Sequence, residues 1–265
     1  MKKIIMCADD FAFHEPASRG IVELARAGRL SATSAMVLSP RWPIDVAWLR
    51  ELRGRIDVGL HLDWTSEFAL QARHGRSLGR LMFNAALGAL NSDSARVVIE
   101  RQLDAFEAQW KAPPDHVDGH QHVHQFDGIR QALVETLARR YADHKPYLRV
   151  SRVPALQADF KSNVISLLGA SALEKIAKSE GFISASGLSG VYNFSQAPRS
   201  YAKRMDHWLT TSPSGSILMC HPAMQVDTND DIGAARVWEY DFLGSVQFAD
   251  ALARADVVVM RGKAT

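Results

Sequence analysis

Short apolar runs alternate along this chain with longer segments of helical periodicity, and that alternation limits the fold more than any other feature. Residues 3–8, 33–38, 56–62, 116–118, 147–150, 182–184, 216–220 and 257–260 read as strands, because short apolar or β-branched runs suit a buried sheet. Between them, residues 16–27, 43–52, 93–110, 129–141 and 164–178 read as helices. In 93–110, Ile99, Leu103, Phe106 and Trp110 recur at the spacing of one helix face. Gly28 is a natural stop for the first helix. Strands alternating with helices give a parallel sheet. Their number over 265 residues is that of a β/α barrel, with a doubly wound open sheet as the runner-up. No repeat, low-complexity segment or long linker divides the chain, so residues 1–265 read as one domain.

The residues that interrupt this pattern fall at strand ends. Asp9-Asp10 follows the first strand, and His61 lies at the end of the third. His120, His122 and His124 follow the fourth, and His221 follows the strand ending at Cys220. In a β/α barrel the C-terminal strand ends converge on one face, where active sites form. The segment 116–124 reads His-Val-Asp-Gly-His-Gln-His-Val-His and holds four of the chain's 10 His. Chance would place roughly 0.3 there. On an extended segment, residues two apart point the same way, so His120, His122 and His124 are expected to line one side of a cleft. Imidazole is the commonest metal ligand near neutral pH. Of two adjacent acids, one can hold a metal while the other handles a proton, which suits metal-assisted hydrolysis. Each feature also has a plainer reading: a polar loop, a helix cap, a core histidine.

Arg149 and Arg152 flank the fifth strand, where either could tether a carboxylate or a substrate oxygen. Trp64, close to His61, is a candidate platform for a sugar ring. Cys7 and Cys220 read as small packing residues. His14, His74, His144 and His207 read as surface, and residues 227–231 as a solvated loop. His116 carries no functional expectation.

Composition closes off several classes. A formal net charge of +2 gives no footprint for nucleic acid or an anionic membrane. No apolar run approaches the ~20 residues of a membrane span. The apolar start is too short for a signal peptide, so a cytoplasmic location with reduced Cys7 and Cys220 is expected. Exposed Trp and Phe side chains leave room for a homodimer.

Six segments together resemble the YdjC-like family. They are Ala-Asp-Asp-Phe (8–11), Arg-Gly-Ile (19–21), Ser-Ala-Met (34–36), Val-Gly-Leu-His (58–61), Asp-Gly-His-Gln-His-Val-His (118–124) and Met-Cys-His-Pro (219–222). The best-described members of that family are chitooligosaccharide deacetylases. The resemblance implies a distorted, TIM-like β/α barrel and one divalent metal ion held by Asp10, His61 and His120. It implies Asp9 as the carboxylate that activates water, and His221 as the group that protonates the leaving amine or stabilises the oxyanion. Arg149, His122 and His124 match positions of substrate contact or support. The chain departs from the family after Asp-Asp-Phe, where Gly and a loop ending in a small residue and Asn are usual. Here the loop is Ala12 to Ser18, with bulky Phe13 and His14 near the metal.

The expected reaction is therefore hydrolysis of the acetamide of an N-acetylated sugar. One carboxylate and two imidazoles suit Zn²⁺, Mn²⁺ or Co²⁺ and admit Mg²⁺. A sugar-phosphate isomerase or lyase on the same barrel would need phosphate-gripping turns near the last strands, where only Gly215 and Gly244 stand. A carbohydrate-binding protein with a vestigial site would have lost Asp9 or a ligand, and none is lost.

Overall fold

A computed structural model describes residues 1–157, 168–194 and 198–262. The strands are β1 (Lys2–Phe11), β2 (Ala32–Ala35), β3 (Asp57–Leu62), β4 (His116–Gly119), β5 (Tyr147–Leu148), β6 (Leu188–Ser189), β7 (Ser216–Cys220) and β8 (Val257–Val259). They pair in the order β5-β4-β3-β2-β1-β7-β6, with β8 on β1, and every pair is parallel. Ser184 bridges Leu148 of β5, and the Leu188 N–H donates to the Arg152 carbonyl at 2.8 Å. Residues 183–189 therefore carry the sheet round from β7 toward β5, which makes the distorted barrel expected from the sequence. The central strand β1 is buried from Ile4 to Phe11, as a parallel sheet covered on both faces requires.

Helices α1 (Glu15–Arg26), α2 (Trp42–Arg50), α3 (Glu67–Gln71), α4 (Leu78–Ala86), α5 (Ser92–Trp110) and α6 (Ile129–Arg140) follow the first strands. Helices α7 (Ala170–Ser179), α8 (Pro198–Thr211), α9 (Gly233–Gly244) and α10 (Val246–Arg254) complete the described set. α5 shows how sequence makes such an element. Asn91 caps it by accepting the Ser94 N–H at 2.8 Å. Ile99, Leu103, Phe106 and Trp110 are all buried, each worth ~1.5–3 kcal/mol relative to exposure.

Two elements differ from expectation. The sixth strand is Leu188–Ser189 rather than 182–184, because Ser184 makes only an isolated bridge. Of the helix expected over 164–178, residues 164–167 lie outside the described residues, and the described part is α7. One close approach fixes a glycine: a Cβ on Gly59 would lie 2.4 Å from the His116 ring packed behind β3.

Candidate metal and catalytic site

At the C-terminal end of β1 the chain leaves regular strand geometry. The β1–β2 register shifts between Ala8 and Phe11, and Asp10 adopts φ +66°. A left-handed non-glycine residue costs about 1 kcal/mol or more and marks a position held by its surroundings. In a regular strand Asp9 and Asp10 would point to opposite faces. Here both line the same cavity, of about 670 Å³.

Asp10 Oδ1 lies 3.4 Å from His61 Nε2 and 3.2 Å from His120 Nδ1. The three donor atoms lie within 4.8 Å of one another. The far nitrogen of His61, Nδ1, donates to Asp118 Oδ1 at 2.6 Å, which turns Nε2 toward Asp10. Carboxylate-held imidazole of this kind is typical behind a metal ligand. Burial pushes His61 down, but the Asp118 and Asp9 carboxylates outweigh it and hold the ring at about 10. The cluster is thus rich in negative charge, and a divalent cation would replace the proton that His61 otherwise keeps. Donor chemistry, convergence and charge all fit a metal ion.

Asp9 has one oxygen anchored and one facing the cavity. Arg149 Nη1 donates to Oδ1 at 2.6 Å, and Ser34 Oγ donates to it at 3.3 Å. Oδ2 lies 4.0 Å from His61 Nε2 and 3.9 Å from His221 Nε2. Arg149 Nη1 also reaches Asp118 Oδ2 at 3.1 Å, so one buried guanidinium ties the base candidate to the support of His61. Although burial pushes the Asp118 carboxyl upward, Arg149 and His61 hold it well below the usual carboxylate range. Burial also pulls His221 down to about 4, against the opposing pull of Asp9, so its ring is neutral near pH 7. Its Nε2 faces Asp9 across the cavity, while the Glu239 carboxylate accepts its backbone N–H.

The three clustered histidines do not share a face. The chain winds through a 3₁₀ turn, His120–Gln125, with Gln121 at φ 52° and His122 at φ 61°. The two left-handed residues rotate successive side chains apart. His120 joins Asp10. His122 Nδ1 meets Ser151 Oγ at 2.9 Å at the cavity edge. His124 is buried and donates from Nε2 to the Arg149 carbonyl at 2.7 Å, which helps fix Arg149.

Several other expectations are corrected. His14 is buried: it caps α1 by accepting the Ala17 N–H at 3.1 Å, and its Nε2 meets Asp230 Oδ2 at 3.2 Å. Residues 227–231 are not merely a solvated loop, since Asn229, Asp230 and Asp231 line the cavity. Trp64 is buried beside His74, away from the main cavity, and cannot serve as a sugar platform. Arg152 is exposed and pairs with Glu174. His74 contacts the Asp63 carbonyl and Arg101. Cys7 is buried beside His116 and Asp118, and burial raises its thiol. Phe13 stacks near the His120 ring, with centroids 6.5 Å apart and planes at 23°.

The sequence reading missed Arg236 and Glu239 on α9, and Asp118 as the support of His61. Arg236 Nη2 donates to Asp10 Oδ2 at 2.7 Å. Glu239 also accepts the Tyr192 hydroxyl at 2.6 Å. Asp118 carried a signal, as the first residue of the Asp-Gly-His segment. The two α9 residues carried none, because Asp10 lies 226 positions from Arg236 and Tyr192 lies 47 from Glu239. No helix among the described residues is long and apolar enough to cross a membrane.

A crystal structure described as a putative cellobiose-phosphate cleavage protein from Enterococcus faecalis superposes with TM-score 0.73 at 18% identity, covering 99% of this chain and 98% of that one. It shows a shared fold. A carbohydrate deacetylase of Mus musculus is 32% identical over 165 residues, 58% of this chain and 51% of that protein, so the chain spans about half the length of that relative. A chitooligosaccharide deacetylase of Enterobacter sp. (strain 638) is 31% identical over 183 residues, 62% of this chain and 71% of that protein. The YdjC-like protein profile matches residues 3–254, which include every strand end that builds the cavity, and the chain belongs to the YdjC-like family.

Proposed function

We propose that this chain is a metal-dependent hydrolase that removes the acetyl group from the amide of an N-acetylated sugar or short oligosaccharide. The observation that carries the reading is the convergence of Asp10, His61 and His120 beside Asp9 and His221 in one cavity. The names of the similar deacetylases supply the substrate class. Asp10, His61 and His120 would hold the ion, Zn²⁺ or Mg²⁺ being compatible with the donors. When bound, such an ion supplies Lewis-acid polarisation of a carbonyl and lowers the pKa of water.

The chain's own residues divide the remaining work. Asp9, with Oδ1 fixed by Arg149 and Ser34, presents Oδ2 to the cavity and takes the proton of the incoming water. His221 presents Nε2 from the opposite side. Neutral at rest, it takes over the proton that Asp9 has gained from the water, hydrogen-bonds the oxyanion with it and then delivers it to the departing amine. Arg149 ties Asp9 and is itself held by His124, while His122, at the cavity edge, is placed for substrate contact or support. Gly215, before β7, and Gly244, ending α9, are absent from the residues lining the cavity, so they offer no phosphate grip there.

The test is acetate release from N-acetylglucosamine oligomers by chelator-treated protein with single divalent ions added back. Acetate should appear only with metal. Full activity after chelation, or unchanged metal content and rate in Asp10→Ala, would sink the reading.

A further inference from the structure

Arg236 is buried on α9, and each side of its guanidinium is engaged. Nη2 donates to Asp10 Oδ2 at 2.7 Å, Nε donates to Asp230 Oδ2, and Nη1 reaches the His221 carbonyl at 3.5 Å. The guanidinium carbon stands 5.4 Å from the centre of the Phe13 ring. A buried guanidinium needs such partners to offset its desolvation. α9 already has a second tie to the barrel end: Glu239, three residues on, accepts from both the His221 N–H and the Tyr192 hydroxyl.

Resting on the assignment of Asp10 as a metal ligand, we infer that Arg236 is a positioning residue that confines Asp10 to one free oxygen and links the cavity loop at Asp230 to that restriction. Oδ1 faces His61 Nε2 and His120 Nδ1 at 3.4 and 3.2 Å, while Oδ2 is committed to the guanidinium. A carboxylate with both oxygens free can chelate a cation and fill a position that water or substrate needs in a catalytic site. A guanidinium charge this close also weakens cation binding. Arg236 therefore lowers the affinity of the site and keeps it open. The same guanidinium is held by Asp230, whose neighbours Asn229 and Asp231 also line the cavity, so substrate contact with that loop bears on Asp10 through one side chain.

Co²⁺ titration of the full chain, followed by calorimetry and by the visible absorption spectrum, separates this role from a structural one. Arg236→Gln should bind Co²⁺ about tenfold tighter, because a nearby like charge is gone, with a changed spectrum and a kcat reduced about tenfold or more. Tighter binding with slower turnover is a split that loosened packing would not produce. Arg236→Lys keeps the charge but not the planar fork, and it covers the case in which the Gln variant fails to fold. It should keep near wild-type affinity with a shifted spectrum and slower turnover. A wild-type spectrum and kcat in Arg236→Lys, or weaker binding and slower turnover together in a folded Arg236→Gln, would overturn the inference. A wild-type chain that binds no Co²⁺, or an Asp10→Asn variant that binds it as well as wild type, would instead overturn the ligand assignment.

Discussion

On the strand side of the cavity, Asp9, Asp10, His61 and His120 come from the ends of β1, β3 and β4. Behind them lies a buried layer of Ser34, Asp118, Arg149 and His124 whose members bond to one another or to the site over 2.6 to 3.3 Å. On the helix side, Arg236 and Glu239 reach in from α9, and Asp230 and His14 join them from two loops. The strand side holds the groups proposed to meet substrate and metal, locked by neighbours that the sheet places automatically. The helix side holds the groups that restrain them, through ion pairs between segments far apart in sequence. Chemistry should therefore be lost by changes on the strand side, and tuned by changes on the helix side.

The largest effect expected from that contrast is in Asp9→Asn. The shape and the Arg149 contact change little, but the proton acceptor is gone. The variant should lose about 10²–10⁴-fold in kcat, the usual range for a general base, while still binding metal. Parallel loss of metal binding would show that Asp9 is a ligand and that the two carboxylates have been assigned the wrong way round. Asp118→Asn comes next. It removes the carboxylate that fixes the His61 tautomer at 2.6 Å, and such support is worth about 10–100-fold in metal affinity. Calorimetric titration with Zn²⁺ checks it, and unchanged affinity would show that the buried layer only packs.

The same contrast explains what could be read from sequence. Asp9-Asp10, His61 and His221 each end an apolar run, so the barrel rule alone brings them together. Spacing made His120, His122 and His124 legible only as a cluster, and the family resemblance alone set His120 apart as a ligand. Period-two reasoning assumes an extended chain, and the left-handed Gln121 and His122 break it. His14 was missed because Ser, Thr, Asp and Asn are the common helix caps, and because its second partner, Asp230, is 216 positions away. Arg236 meets Asp10 across 226 positions. Neither neighbouring sequence nor periodicity records a pair of that kind. The strand expected over 182–184 was displaced for a related reason, since pairing partners rather than propensity set the short β6.

The smallest effects expected are on stability, and they should have opposite signs on the two sides. Burial raises Glu239 to about 7, against the pull of the Tyr192 hydroxyl and the His221 N–H. Between pH 4.5 and 7 the folded chain then binds more protons at this site than the unfolded one, so its contribution to stability falls as pH rises. Burial, with Arg149 adding to it, lowers His124 to about 4. Between pH 6.5 and 4 the unfolded chain binds more protons there, so stability falls as pH drops. Each gap corresponds to about 3 kcal/mol at most. Melting temperatures across pH 4–8 would read both. Relative to wild type, Glu239→Gln should gain stability progressively toward pH 8, and His124→Gln should lose part of the acid-side decline. If both variants track the wild-type profile in parallel, the two buried groups do not titrate as placed. The contrast would then rest on the kinetics of Asp9 and Asp118 alone.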